Sequence, residues 1–136
     1  KLVEVVKGIE TSESVIQQLK NFTRSLHKTP IVAKDAPGFI VNRVARHYYV
    51  ESLRILEENG ATIENIDKLA EASGFKMGPF KLMDLIGNDI NYAVTESLFQ
   101  AFNYESKFRP SRIQQQKVDA GHLGRKTGKG FYDYQS

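Results

Sequence analysis

Glu4 is the one charged residue in Leu2-Val3-Glu4-Val5-Val6, and a carboxylate in such company must find a partner or reach water. On a strand of period two it shares a face with Leu2 and Val6, while Val3 and Val5 point the other way. By residue type alone it is an edge-strand charge, a common protection against aggregation. Asn42 stands one turn into a helix after Pro37-Gly38-Phe39. It reads either as a structural asparagine bonded to the preceding loop or as an amide aimed into a cleft at the helix N-terminus. The third feature is uneven charge. The chain carries a net +3, yet between residues 107 and 129 seven cations (Lys107, Arg109, Arg112, Lys117, Arg125, Lys126 and Lys129) face Asp119 alone, a net +6 that leaves the remainder near −3. Such a cluster attracts phosphate on nucleic acid or on a phosphorylated cofactor. It suits a solvated helix face and tail equally well, because aromatic residues are not interleaved as a stacking platform requires.

Several chemistries are disfavoured by spacing. Residues 124–130 resemble a phosphate loop, but Leu123 stands five places before Gly128, and Gly130 follows Lys129 where a Walker loop needs Ser or Thr. Gly128-Lys129-Gly130 begins like a dinucleotide fingerprint, yet position 133 is Asp133 and no helix fits after it. His27, His47 and His122 are scattered, none in a helical pair, so no metal site is expected. A nucleophilic triad lacks a convincing serine turn.

The elements that hold these residues are mostly helical. Thr11 or Ser12 can cap a helix with Val15, Leu19, Phe22 and Leu26 at spacings of four, three and four, ending near His27. Residues 29–36 read as a loop containing Pro30-Ile31-Val32-Ala33 and leading to Pro37, which suits a first helical turn. A long helix is predicted from Pro37 to about Asn59, with Val41, Val44, Ala45, Tyr48 and Leu56 on a wide apolar stripe and Asn59-Gly60 as its stop. Thr62 precedes a shorter helix ending at Ser73-Gly74. Met77-Gly78-Pro79-Phe80 turns into another, closed by Gly87. Asn88 or Asp89 is expected to cap the next, with Ile90, Ala93, Val94, Leu98 and Phe102 on one side, and Ser111 to start the last, which runs to Ala120-Gly121. The glycine-rich tail is non-helical. The fold class is therefore all-α: a compact multi-helix domain with a short N-terminal strand-like segment and an irregular exit.

At 136 residues, 40% hydrophobic and 26% charged, the chain fits one domain able to bury about two thirds of its unfolded surface. It has no cysteine, so disulfides and thiolate metal sites are excluded, in keeping with a reducing compartment such as the cytoplasm. No apolar run approaches the roughly 20 residues that cross a bilayer. Neither a membrane nor a nucleic acid is expected as a partner.

Four blocks occur in an order that matches one family. Lys1-Leu2-Val3-Glu4-Val5-Val6, then Asp35-Ala36-Pro37-Gly38-Phe39-Ile40-Val41-Asn42-Arg43, then Met77-Gly78-Pro79-Phe80, and finally Gly124-Arg125-Lys126-Thr127-Gly128-Lys129-Gly130-Phe131-Tyr132 closely resemble the C-terminal domain of 3-hydroxyacyl-CoA dehydrogenases. The resemblance spans nearly the whole chain. Asn42-Arg43-Val44-Ala45-Arg46 and Phe108-Arg109-Pro110-Ser111 are similar to the bacterial 3-hydroxybutyryl-CoA branch.

The resemblance implies a domain of the 6-phosphogluconate dehydrogenase C-terminal-like fold over residues 1–136. It also implies a separate N-terminal Rossmann domain, absent from this chain, that holds NAD. The helical domain would bind the acyl-CoA substrate and form a homodimer. The whole enzyme would interconvert (S)-3-hydroxyacyl-CoA and 3-oxoacyl-CoA, a step of fatty-acid β-oxidation type. Its base histidine would lie just upstream of Lys1, so the chain by itself is expected to be inactive. Glu4 falls on the glutamate that holds the imidazole in one tautomer and stabilises the imidazolium, which replaces the edge-strand reading. Asn42 falls on the asparagine that orients the substrate near the reacting carbon. Met77, Gly78 and Pro79 would lie along the acyl or pantetheine channel, though Met77 suits a core position equally well. Lys126 falls on a lysine that reaches the cofactor. Two other classes stay open: the helical domain of another NAD(P)-dependent hydroxy-acid dehydrogenase, and a non-enzymatic helical interaction module with a basic tail.

Overall fold

A computed structural model describes residues 1–135. These fall into two units, residues 1–44 and the described residues from 45 on, whose boundary lies inside a helix. The first unit opens with β1 (Leu2–Lys7), continues through α1 (Glu13–Ser25) and returns as β2 (Thr29–Lys34). The strands pair in parallel, Glu4 opposite Ile31 and Val5 opposite Val32, with α1 as the crossover that a parallel pair needs. The stretch expected as a loop is thus a strand. Pro30 disguised it, because proline lacks a ladder donor. The Thr29 amide donates to the Lys1 carbonyl at 2.8 Å, and neighbouring amides on a strand point opposite ways, so the missing donor of Pro30 is on the side away from β1.

Ser12 caps α1, its side chain accepting from the Val15 amide. The stripe that predicts this helix is not the face it buries. Ile16 and Thr23 are buried, whereas Val15, Leu19, Phe22 and Leu26 keep between 43% and 62% of their surface exposed. An apolar groove of about 410 Å3 runs between Leu19 and Phe22 on α1, Leu26 just after it, and Val3 and Val5 on β1. Such burial of only one side is unusual for a parallel strand pair, which ordinarily has helices over both faces.

The long helix α2 spans Val41–Glu57, four residues shorter at its start than expected. Gly38 (φ 72°) and Phe39 (φ 46°) are left-handed, and the Phe39 amide closes a turn on the Ala36 carbonyl at 2.9 Å. Pro37 therefore belongs to a turn, and the helix begins only after it. Its other end behaves as expected: Asn59 is left-handed, and the Gly60 amide returns to the Ile55 carbonyl at 2.8 Å.

The second unit adds α3 (Ile63–Ala72), α4 (Pro79–Ile86), α5 (Asn88–Ala101) and α6 (Arg112–Asp119). Short 3-10 turns cover Ser106–Phe108 and Arg125–Thr127. Tyr49, Leu53, Ile66, Phe80, Met83 and Phe131 form its core. Phe80 and Met83 are completely buried, each contributing about 1.5 to 3 kcal/mol of transfer free energy. Thr62 caps α3 through the Asn65 amide, and Pro79 occupies the first turn of α4, both as predicted.

Helix α5 departs from its predicted orientation. It buries a polar row, Asn88, Asn91 and Thr95, together with Leu98, and leaves Ile90 half exposed. The buried Arg46 guanidinium explains the choice. Its Nη1 donates to the Asn91 carbonyl at 2.9 Å and to Thr95 Oγ1 at 3.0 Å, and Gln114 Nε2 donates to Asn91 Oδ1 at 3.1 Å. A buried cation takes its acceptors with it. Neither Asn88 nor Asp89 caps this helix: Gly87 (φ 106°) holds the cap position. Ser111 precedes α6 as expected, but its hydroxyl donates to Glu57 Oε1 at 2.6 Å instead of capping.

Candidate functional site

In the first unit Glu4 has a defined structural partner. Its Oε1 accepts from the Ile40 amide at 2.8 Å and the Val41 amide at 3.1 Å, the amides at which α2 begins. A carboxylate at that end of a helix satisfies orphan donors and interacts favourably with the positive end of the macrodipole. Glu4 is thus not a solvated edge charge. Both of these bonds use Oε1. Asn42 is the second residue of α2 and is exposed, so the fold brings Glu4 and Asn42 to the same end of one helix across 38 positions of sequence. Among the described residues no histidine bonds Glu4.

Met77, Pro79 and Lys126 belong to the second unit. Met77 is half-buried, and its carbonyl accepts from the Tyr48 hydroxyl at 2.8 Å. The Tyr48 ring stacks on Phe75 with centroids 4.6 Å apart. Pro79 is wholly buried, which makes Met77 the member of the pair with surface to offer a ligand. The turn holding both is built on Asp67, a completely buried carboxylate on α3. Asp67 Oδ1 accepts from the Phe80 amide at 2.9 Å, and Oδ2 accepts from the Lys81 amide at 3.1 Å and the Tyr132 hydroxyl at 2.8 Å. A Cβ on Gly78 would overlap the Asp67 carboxyl, which is why the Met-Gly-Pro-Phe block has glycine there.

Lys126 sits on the 3-10 turn of the C-terminal loop. Its ammonium donates to both oxygens of Asp89, at 2.6 and 2.7 Å, and the pair is partly exposed. That hydrogen bond holds Asp89 below the usual carboxylate range. An ammonium has three donors, and Asp89 occupies two, so the cation retains capacity for a further anionic group. The loop itself closes on a second buried carboxylate, Asp84 of α4. Asp84 Oδ1 accepts from the Phe131 amide and Asn88 Nδ2, at 2.9 and 2.8 Å, while Oδ2 accepts from the Tyr132 amide and the Tyr134 hydroxyl, at 2.9 and 3.0 Å. Gly130 leaves room for that carboxylate, and Gly124 (φ 102°) for the Asp84 backbone. The glycines that suggested a phosphate loop serve close approach to an aspartate.

Asp67 and Asp84 belong to no motif of the sequence, and Asp89 stands in it only as a candidate helix cap. The available signal was phase: Asp67 follows Ile66 on the buried side of α3, and Asp84 follows Met83 on that of α4.

These carboxylates raise the tyrosines around them. Loss of solvent and then the charge of Asp67 push the Tyr48 hydroxyl up to about 12, and loss of solvent and then Asp84 push Tyr134 up to about 12. Burial and a hydrogen bond to Asp67 raise Tyr132 as well. A group whose folded pKa lies above its unfolded value, about 10 for tyrosine, contributes stability below the unfolded pKa and loses it as pH rises through the folded one. Urea midpoints are accordingly expected to hold up to pH 9 and fall between pH 10 and 12. Tyr134→Phe should flatten that fall, and a midpoint unchanged from pH 9 to 12 would contradict it.

Among the described residues no three His, Cys, Asp or Glu side chains are grouped to hold a metal, and no helix is long and apolar enough to cross a membrane. Residues 38–134 match the family model for the 3-hydroxyacyl-CoA dehydrogenase C-terminal domain, and residues 1–36 that for the NAD-binding domain of the same enzymes. The chain is 52% identical to 3-hydroxyadipyl-CoA dehydrogenase of Escherichia coli K12, which covers 100% of this chain and 29% of that protein. It is 38% identical to pig mitochondrial hydroxyacyl-coenzyme A dehydrogenase, over 98% of this chain and 43% of the relative. Among solved structures, E. coli 3-hydroxybutyryl-CoA dehydrogenase superposes with a TM-score of 0.97 at 51% identity, covering 100% of this chain and 29% of that one. The (S)-3-hydroxybutyryl-CoA dehydrogenase of Ralstonia eutropha gives 0.93 at 38%, covering 99% and 48%. The chain therefore spans less than half the length of each of these relatives.

Proposed function

The chain belongs to the 3-hydroxyacyl-CoA dehydrogenase family, and from that premise we propose that it is the substrate-binding part of an enzyme interconverting (S)-3-hydroxyacyl-CoA and 3-oxoacyl-CoA with NAD. The observation that carries this reading is the Glu4 carboxylate. Oε1 is tied to the Ile40 and Val41 amides, which holds the group in place, and Oε2 would accept from an imidazole N–H. A histidine outside these 136 residues would be the base that takes the substrate hydroxyl proton. With Glu4 behind it, that ring is held in the productive tautomer, and its charged form is stabilised as the proton arrives.

Asn42, beside Glu4 at the start of α2, offers an amide to the substrate oxygen and fixes the reacting carbon, a contribution of orientation. Met77 lines the acyl or pantetheine channel, backed by the buried Pro79, and its flexible thioether accommodates varied chains. Lys126 fits the cofactor by charge, having one ammonium donor beyond those given to Asp89. What NAD supplies when bound is the hydride acceptor. Residues 1–36 match the model of the NAD-binding domain, and the exposed apolar stripe of α1 suits a position against such a domain. The assembly in this reading is a homodimer, and the cysteine-free composition suits the cytoplasm.

The full-length protein is expected to reduce NAD with (S)-3-hydroxybutyryl-CoA or (S)-3-hydroxyadipyl-CoA, followed by absorbance, while this chain alone is expected to do neither. Absence of turnover with any 3-hydroxyacyl-CoA in the full-length protein would overturn the reading. So would NAD-dependent oxidation by the purified fragment.

A further inference from the structure

We infer that Asp84 is a positioning residue for Lys126: the buried carboxylate clamps the C-terminal loop so that the lysine is held where the cofactor's anionic groups can meet it. The inference rests on the cofactor role given to Lys126 above. Asp84 is 1% exposed, and the groups that donate to it, the Phe131 and Tyr132 amides, the Tyr134 hydroxyl and Asn88 Nδ2, are all neutral. Three of the four lie on the loop that carries Lys126.

The fourth donor extends the clamp to the other side of Lys126. Asn88 Nδ2 also donates to the His122 carbonyl at 3.2 Å, and the Asn88 amide donates to the Leu123 carbonyl at 3.0 Å. The α4–α5 junction thus grips the chain both before and after the 3-10 turn of Lys126. One residue further along α5, Asp89 receives the ammonium itself. Between Asp84 and Asp89, Gly87, at φ 106°, makes the left-handed turn that joins α4 to α5 and sets Asp89 beside the lysine. Asp84, Gly87, Asn88 and Asp89 form one short segment whose side chains and backbone place a single cation.

The chemistry makes a sharp variant available. Each oxygen of Asp84 takes two donors, so Asp84→Asn turns its NH2 toward two donors whichever way the amide flips. The loop must then shift without any loss of volume. A milder change, Tyr134→Phe, removes one donor and leaves the carboxylate intact.

The test is a thermodynamic cycle in the full-length protein, read by NADH fluorescence titration, with kcat and the KM values for NAD and acyl-CoA measured alongside. Lys126→Ala and Asp84→Asn are each expected to weaken NADH about tenfold, and Tyr134→Phe about threefold. The KM for acyl-CoA should stay within about twofold throughout. In the Lys126→Ala background neither Asp84→Asn nor Tyr134→Phe should weaken NADH further, because the clamp then has no cation to place. If NADH affinity is untouched by Asp84→Asn, or falls by the same factor with and without Lys126, the positioning role is overturned while the cofactor role of Lys126 stands. If Lys126→Ala itself leaves NADH affinity unchanged, both fall. Should Asp84→Asn fail to fold, Tyr134→Phe decides by the same criterion.

Discussion

Glu4→Gln in the full-length enzyme is expected to lower kcat by about 10²-fold while leaving NADH affinity within about twofold. Glutamine keeps the shape, and its carbonyl oxygen can still accept from the Ile40 and Val41 amides. The start of α2, and Asn42 with it, should therefore remain in place. What changes is the second atom, which becomes an NH2 donor where, in the proposed role, an acceptor would face the imidazole. On that proposal the ring would lose the partner that selects its tautomer, and the imidazolium formed during oxidation would lose its counter-charge. Glu4→Ala separates the two functions, because it should also lower stability by about 1 kcal/mol through loss of the bonds at the helix start. Turnover of Glu4→Gln equal to the parent would leave Glu4 as a helix-capping residue alone.

Asp67→Ala should cost about 3 kcal/mol of folding stability and lower Tm by about 10 °C. The Phe80 and Lys81 amides and the Tyr132 hydroxyl would each lose an acceptor. Gly78 is already pressed against that carboxyl, so the vacated space cannot be refilled from its side. Asp67→Asn retains the volume and one acceptor oxygen, and about half the loss is expected. Urea titration followed by circular dichroism separates the cases, and a loss below about 1 kcal/mol for the alanine variant would show that water replaces the carboxylate. Tyr132 transmits the effect, since it donates through its hydroxyl to Asp67 and through its amide to Asp84. The Met-Gly-Pro-Phe turn and the loop of Lys126 therefore share one strut.

Local chemistry made much of this protein legible. Ser12 and Thr62 do cap α1 and α3, Pro79 does begin α4, and Gly87 does end it, because caps and first turns depend on residues only a few positions apart. Where the reading missed, a distant partner decided. Residues 29–34 became a strand because β1 lies alongside, and α5 turned a polar face inward because Arg46 and Gln114 meet it there.

The sequence by itself determined the helices, the caps of α1 and α3 and, through four ordered blocks, the family and the candidates Glu4, Asn42, Met77, Pro79 and Lys126. The tertiary structure alone decided what those side chains touch: Glu4 on the amides of α2, Lys126 on Asp89, and a glycine-rich loop wrapped around Asp84 instead of a phosphate. The physical reason is that a buried carboxylate is tolerable only with several donors, and its donors here come from residues as far as 65 positions away, as in the Tyr132 bond to Asp67. Periodicity records which face of a helix is apolar. It does not record which distant amides will be waiting when an aspartate arrives.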